Sequence, residues 1–243
     1  MTFRSIAGWF ARLGHLLAAT VLIAGFSASL AQAQVRTETA VFAGGCFWCV
    51  EADMDKVKGV LKTVSGYAGG TNDDPSYRAV TYVDTGHLEA VEVTYNPAII
   101  SYRRLTDIFL RTIDPTDDGG QFCDRGHSYR TALMPLNAAQ RSAAKAAIAD
   151  VTARGLLTAP VKTRVVPIKK FYKGEEYHQD FYQKKPAHYN RYRTGCRRNQ
   201  RVKSVWGPEA YKGIPKLQKN KQASRQSDRS LFSSIFGQET GGR

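Results

Sequence analysis

Four cysteines among 243 residues are too few for a disulfide-knit scaffold of this length, but enough for redox chemistry or one zinc site. The chain also lacks a long apolar run: the stretch from Leu16 to Phe26 covers 11 residues, against the ~20 that a bilayer requires. A mean hydropathy of −0.38 excludes a polytopic membrane protein. Acidic residues are missing from residues 1–33, and residues 197–243 hold only 3 of them beside 11 Lys and Arg. The net charge of +14 therefore belongs mainly to the C-terminal segment. Residues 34–196 carry 22 basic and 18 acidic side chains, so specific nucleic-acid binding by the folded region has no premise. What remains, 42% hydrophobic, 11% aromatic and 23% charged, suffices for a globular domain with a core.

Arg4 and Arg12 precede the apolar run, and Ala31-Gln-Ala33 follows it. This three-part pattern predicts a secretory signal over residues 1–33, cleaved before Gln34, and a periplasmic or secreted protein. Thiols persist in such an oxidising compartment only where a partner keeps reducing them. Residues 34–196 are then the expected catalytic domain. Residues 197–243 read as a basic, mostly disordered tail, for which an anionic envelope surface is a suitable contact.

No internal repeat is visible. Residues 38–43 read as a strand that runs through Gly44-Gly45 into a helix starting at Cys46. Residues 59–64 read as a second strand, and residues 79–83 and 88–95 as an antiparallel pair. Ser101 and Asn137 are expected to cap helices reaching about Ile113 and Arg154. Between them, residues 117–128 form a polar loop richer in functional side chains than a connection needs. Residues 161–168 read as a strand, and residues 174–184 as a short helix stopped by Pro186. Strands and helices mix without regular βαβ alternation, which predicts an α+β fold with a mostly antiparallel sheet.

A thiol is a nucleophile only as thiolate, and the unpaired N–H groups at a helix start favour the anion. Cys46, directly after Gly44-Gly45, is placed for that activation, and Phe47 and Trp48 beside it offer an apolar pocket for a group the size of a methyl. Cys46-Phe-Trp-Cys49 is also a C-x-x-C pair. A zinc site needs a second pair, and Cys123 and Cys196 stand alone, so no metal is expected. A thiol-disulfide oxidoreductase using Cys46 and Cys49 is the alternative reading, although aromatics in both intervening positions are atypical of it. A leaving oxygen needs a proton: Glu89, early in an apolar strand, is the candidate acid. Tyr77, Asp124 and Tyr129 are candidate hydrogen-bonding groups. His87, His127 and His178 have no local partner to orient them and read as loop or helix-surface residues.

Six motifs carry a resemblance: Gly44-Gly-Cys-Phe-Trp-Cys-Val-Glu51, Ser65-Gly-Tyr-Ala-Gly-Gly70, Pro75-Ser-Tyr-Arg78, Thr85-Gly-His-Leu-Glu-Ala-Val91, Cys123-Asp-Arg-Gly-His-Ser-Tyr-Arg130 and Tyr177-His-Gln-Asp-Phe-Tyr182. With them in this order, the chain resembles the peptide-methionine sulfoxide reductase A family. The resemblance implies a two-layer α/β sandwich with a ferredoxin-like, mostly antiparallel sheet and an irregular C-terminal extension. It implies cofactor-free reduction of methionine-S-sulfoxide, free or in proteins, by a monomer. On the matching positions, Cys46 is the nucleophile, Phe47 and Trp48 take the substrate's methyl group, and Glu89 is the acid. Tyr77, Asp124 and Tyr129 bind the sulfoxide oxygen.

The implied chemistry leaves Cys46 as a sulfenic acid, which a second thiol condenses with before a thioredoxin-like dithiol reductant regenerates the pair. Many members of the family have Gly at the position of Cys49 and a resolving Cys in a Gly-rich tail; others carry the Cys-Phe-Trp-Cys form. Both Cys196 and Cys49 are therefore candidate resolving residues: a C-x-x-C pair closes with little rearrangement, Cys196 can reach Cys46 because loop-closure cost rises slowly with length, and Cys196 is favoured because it precedes the tail's loss of order. Cys123 is the expected bystander.

Overall fold

In the computed structural model, which describes residues 36–215, the strand β1 (Glu38–Gly44) is an interior strand of the main sheet. Its residues Ala40 to Ala43 are all fully buried, because neighbouring side chains point to opposite faces and both faces are covered. On one face Ala40 and Phe42 join Val91, Val93 and Leu133 beneath the helices. On the other, Val41 and Ala43 pack with Ala68, Ala90, Ala132 and Met134, with Val166, Ile168 and Phe171 packed against them.

β1 is flanked by β3 (Leu88–Tyr95) and β6 (Thr131–Leu133), with Phe42 opposite Val91 on one side and Leu133 on the other. β2 (Val60–Ala68), β7 (Arg164–Val165) and β8 (Phe171–Lys173) complete a six-stranded sheet of order β7-β6-β1-β3-β2-β8. Every pairing in it is antiparallel except β6 with β7. The expected mostly antiparallel α+β architecture is what the chain forms. A separate two-stranded ribbon, β4 (Gly120–Gln121) with β5 (Asp124–Arg125), organises the polar loop.

The helical face holds α1 (Phe47–Met54), α3 (Tyr102–Leu110) and α4 (Ala138–Ala153), which contribute Phe47, Leu105, Phe109, Ala144 and Val151 to the main core. Ser101 and Asn137 cap α3 and α4 as expected, accepting from the backbone N–H of Arg104 at 3.2 Å and of Gln140 at 2.9 Å. Gly44 and Gly45 let α1 leave β1 so abruptly. A Cβ on Gly44 would lie 2.8 Å from Val50 Cγ2, and Gly45 takes a φ of 73°, with a Cβ there 2.5 Å from Gln121.

Four local expectations are corrected. Residues 79–83 belong to a helix, α2 (Tyr77–Tyr82), not to a strand. The Ser76 hydroxyl accepts from Ala79 N–H at 3.3 Å, so capping overrides β-branched composition where only Val80 is buried. Of residues 161–168 only Arg164–Val165 pair as a strand. Residues 174–184 do not form one helix: a 3₁₀ turn, Glu176–His178, is separated from α5 (Phe181–Lys184) by Asp180 at a φ of 53°. Pro186 starts α6 (Pro186–Gly195) instead of stopping a helix, since its missing N–H costs nothing in a first turn.

The fourth correction concerns the domain end. The segment after Cys196 forms α7 (Arg198–Trp206), and Arg198, Val202 and Trp206, spaced at one helical turn, are buried. Trp206 Nε1 donates to the Ile113 carbonyl at 2.9 Å. The boundary expected at residue 196 thus falls inside the folded unit. The signal segment and residues 216–243 lie outside the described residues.

Candidate active site

Cys46 occupies the N-cap of α1, and its backbone carbonyl accepts from Cys49 N–H at 3.1 Å. One turn places Cys49 beside it; both are buried and both are free thiols. Phe181 and Tyr189 close over the pair. The expected activation of Cys46 by the helix start is not what the site shows. Burial pushes the Cys46 thiol well above its ordinary value, and its hydrogen bond to Cys49 and the negative charges of Cys49 and Glu89 add to this. Cys49 goes the other way. Against burial, which raises it, the hydrogen bond from Cys46 and the charges of Arg198 and Arg193 bring its thiol down to about 7. Of the two thiols, Cys49 is the one that ionises more readily.

A cavity of about 50 Å³ opens at Cys46, lined by Cys46, Phe47, Trp48, Tyr77, Glu89, Asp124, Tyr129 and Tyr192. Seven of these eight are the residues singled out from sequence, brought together from α1, α2, β3, β5 and the 3₁₀ turn His127–Tyr129. Glu89 accepts from Phe47 N–H at 2.9 Å. Burial pushes its carboxyl up to about 8, with the charges of Asp124 and Cys49 adding to the shift and the Phe47 N–H opposing it. Glu89 is therefore a proton donor at neutral pH. Burial also raises Tyr77 to about 12 and holds Tyr129 higher still, so both phenols keep their protons as hydrogen-bond donors.

The walls are held from behind. Trp48 stacks on Phe181 with 3.8 Å between ring centres, and its Nε1 donates to His178 Nδ1 at 3.0 Å. Burial lowers His178 to about 4, so it is neutral, and accepting at Nδ1 places its proton on Nε2. The His178 ring also packs 4.8 Å from Phe47 and 4.5 Å from Tyr77. Glu175 accepts from Tyr77 N–H at 2.8 Å and from Tyr67 Oη at 2.6 Å, tying α2 to the sheet. Tyr192 Oη donates to Asp124.

A concave site of this kind, with a buried thiol, a protonated carboxyl, phenol donors and an aromatic wall, matches what comparison of the sequence finds. Residues 38–210 match the family described as peptide methionine sulfoxide reductase. The chain belongs to this family.

Among relatives, a peptide methionine sulfoxide reductase MsrA 2 of Caulobacter vibrioides is 50% identical over 196 residues, covering 81% of this chain and 98% of the relative. The Bacillus subtilis MsrA is 45% identical over 172 residues, 71% of this chain and 97% of its own. Of solved structures, reduced Mxr1 from Saccharomyces cerevisiae aligns with a TM-score of 0.58 at 33% identity, covering 62% of this chain and 87% of that one. Methionine sulfoxide reductase A of Corynebacterium diphtheriae aligns at 0.55 with 29% identity, over 64% and 78%. The protein is accordingly a peptide methionine sulfoxide reductase with an α/β fold shared with these enzymes.

Within this reductase the remaining cysteines depart from the sequence reading. Cys196, favoured there as the resolving residue, is bonded to Cys123, the expected bystander, with 5.1 Å between their Cα atoms. The pair ties the β4–β5 ribbon to the α6–α7 junction, and leaves Cys49 as the free thiol next to Cys46. His87 and His178 are buried rather than surface residues. His178 and Glu175 border or belong to the motif Tyr177–Tyr182, which marked the region but not their supporting roles. Tyr192 and Arg193 gave no signal because they lie outside the six motifs, and Arg198 gave none because it falls in the stretch that reads as tail. Among the described residues there is no cluster of His, Cys, Asp and Glu able to hold a metal ion, and no helix long and apolar enough to cross a membrane.

Proposed function

We propose that this reductase acts on methionine-S-sulfoxide, free or in proteins, through a Cys46 sulfenic acid that Cys49 resolves. The observation that carries the reading is the pairing of two free, adjacent buried thiols with a protonated Glu89 in one cavity. Substrate binds with its methyl group between Phe47 and Trp48 and its oxygen toward Tyr77, Tyr129, Asp124 and Glu89. Cys46 passes its proton to Cys49 and attacks sulfur, and Glu89 protonates the oxygen. The hydroxyl then passes from the substrate sulfur to Cys46: the substrate S–O bond and the transient bond between the two sulfurs break, the Cys46 S–O bond forms, and methionine departs, leaving Cys46 as sulfenic acid. Cys49 then forms the S–S bond, the oxygen leaves as water with its own proton and the one left on Cys49, and Glu89 recovers its proton from solvent.

The disulfide is returned to two thiols by a thioredoxin-like dithiol protein outside the chain. A general disulfide exchanger is the poorer fit, since it requires an accessible attacking thiolate and Cys46 is buried with its proton on. The test is consumption of each sulfoxide epimer with dithiothreitol as reductant, in wild type and Cys46→Ser, with non-reducing peptide mapping after one turnover. Loss of the S epimer alone, dependent on Cys46, with a Cys46–Cys49 product is expected. Turnover of neither epimer, or full turnover by Cys46→Ser, sinks the reading.

A further inference from the structure

Two wall residues of the cavity sit on elements that need outside support. Asp124 belongs to β5, half of a ribbon whose strands are two residues each, and an isolated two-stranded ribbon is marginal even when it is longer. Tyr192 belongs to α6, a helix of 10 residues that buries Tyr189, and helices of that length do not persist in water without tertiary contacts. The Tyr192 hydroxyl donates to Asp124 across the gap between these elements, and the same two elements are joined covalently. Cys123 directly precedes Asp124 in sequence. Cys196 follows Tyr192 by one helical turn, and its backbone N–H donates to the Tyr192 carbonyl at 2.9 Å. The Cys123–Cys196 bond, with 5.1 Å between the Cα atoms, therefore holds together the two backbones that the hydrogen bond needs. Arg193 ties α6 to Asp53 at 2.9 Å, but that contact is with α1 and not with the ribbon. The second pair is also open to reagents that the catalytic thiols are not: Cys123 is exposed, whereas Cys46 and Cys49 are 6% and 1% exposed.

We propose that Cys123 and Cys196 are positioning residues whose disulfide is a redox-sensitive clamp on the substrate cavity. With the bond closed, Asp124 and Tyr192 are preorganised as one wall, and substrate binds without first having to order them. An outside dithiol opens the clamp: the S–S bond breaks, the two sulfurs take up two electrons and two protons to become thiols, and the dithiol closes to its own disulfide. The ribbon and α6 then move more freely, and part of the binding energy goes into restoring the Tyr192–Asp124 pair. The sulfur chemistry is untouched, because neither cysteine lines the cavity. The proposal rests on the reading that the sulfoxide enters this cavity with its oxygen toward Asp124. It makes affinity for the sulfoxide follow the thiol–disulfide balance of the surroundings, tighter where they oxidise and weaker where they reduce.

The clamp is tested in single turnovers of the full-length protein, with Cys46 and Cys49 reduced, no reductant left in solution and free methionine-S-sulfoxide as the probe. Methionine release is followed against sulfoxide concentration in the parent and in Cys123→Ala/Cys196→Ala, at a temperature where circular dichroism shows both folded. The variant should need about tenfold more sulfoxide for half-saturation, the equivalent of one well-placed hydrogen bond. Its rate at saturation should stay within about twofold, the pattern of a binding effect; a fall in that rate with half-saturation unchanged overturns the proposal. Tyr192→Phe, which keeps the ring and removes the hydroxyl, should raise half-saturation as much while the bond is closed. Breaking the bond in that background should add less than about twofold, and fully additive effects overturn the coupling. A second measurement needs no variant to fold: parent protein is poised in dithiothreitol mixtures of graded reduction potential, desalted and assayed. Half-saturation should follow the alkylation of Cys123 and Cys196, and a constant value across that transition overturns the clamp. A parent protein that releases no methionine defeats the reading of the cavity itself, whereas release with an unmoved half-saturation defeats only the clamp.

Discussion

Glu89 holds its proton at neutral pH because it is buried on β3 between Leu88 and Ala90, where the Phe47 N–H donates to its carboxyl. That much could be read beforehand, since a carboxyl early in a strand of Leu, Ala and Val is desolvated wherever the strand is central. Because the useful species is the acid and the folded value is about 8, turnover should decline as pH rises through that value, and fall also below about 7, where a protonated Cys49 no longer takes the Cys46 proton. Glu89→Gln should lose the decline and about 10²–10⁴-fold in kcat; a pH–rate profile of both proteins checks this. Cys46 was legible as the candidate nucleophile that the proposed function uses, but its burial was not. The helix start favours a thiolate locally, yet Phe181, Tyr189 and Tyr192, more than 130 residues away, remove the water that a thiolate needs. Cys49→Ser should release one methionine per enzyme and then stop when a protein dithiol is the only reductant, with the sulfenic acid trapped by dimedone and seen by mass spectrometry.

At the scale of elements, capping and periodicity placed the starts of α3 and α4, because Ser101 and Asn137 sit directly before apolar stripes, and the end of α4 to one residue, while α3 ends at Leu110, three residues short of the expected Ile113. α7 escaped for the opposite reason. Its buried stripe is only Arg198, Val202 and Trp206, one of them a cation, among Lys, Arg, Gln and Asn that read as tail. The helix is held by tertiary contacts: Trp206 enters the main core and Arg111 lies 5.3 Å from its ring centre. Trp206→Ala should therefore cost about 3–5 kcal/mol, as large-to-small changes of buried aromatics do, measured as a fall in the denaturant midpoint. A tail without structural weight predicts no change.

For the molecule as a whole, the Cys123–Cys196 bond links positions 73 residues apart. Its pairing was not legible, because four cysteines allow three connectivities and sequence does not rank them; it needs the β4–β5 ribbon and the end of α6 to meet in space. Closing a loop of that size removes about 4 kcal/mol of unfolded-state entropy in the chain-entropy model. Such a bond forms where the surroundings oxidise thiols, which is the compartment that the signal expected over residues 1–33 would supply. The two expectations can be tested together on protein recovered from the periplasm or medium of the producing cell. Intact mass should begin at Gln34 and be two hydrogens lighter than four free thiols after mild reduction, with alkylation confined to Cys46 and Cys49. Cys123→Ser should lower the denaturant midpoint by an amount equivalent to about 4 kcal/mol while leaving the Cys46–Cys49 product unchanged. A mature protein that starts at Met1 removes the case for export, and four alkylated thiols with an unshifted midpoint in Cys123→Ser removes the structural role of the bond. Either outcome leaves the chemistry at Cys46 where it stands, because neither sulfur of the second pair lines the cavity.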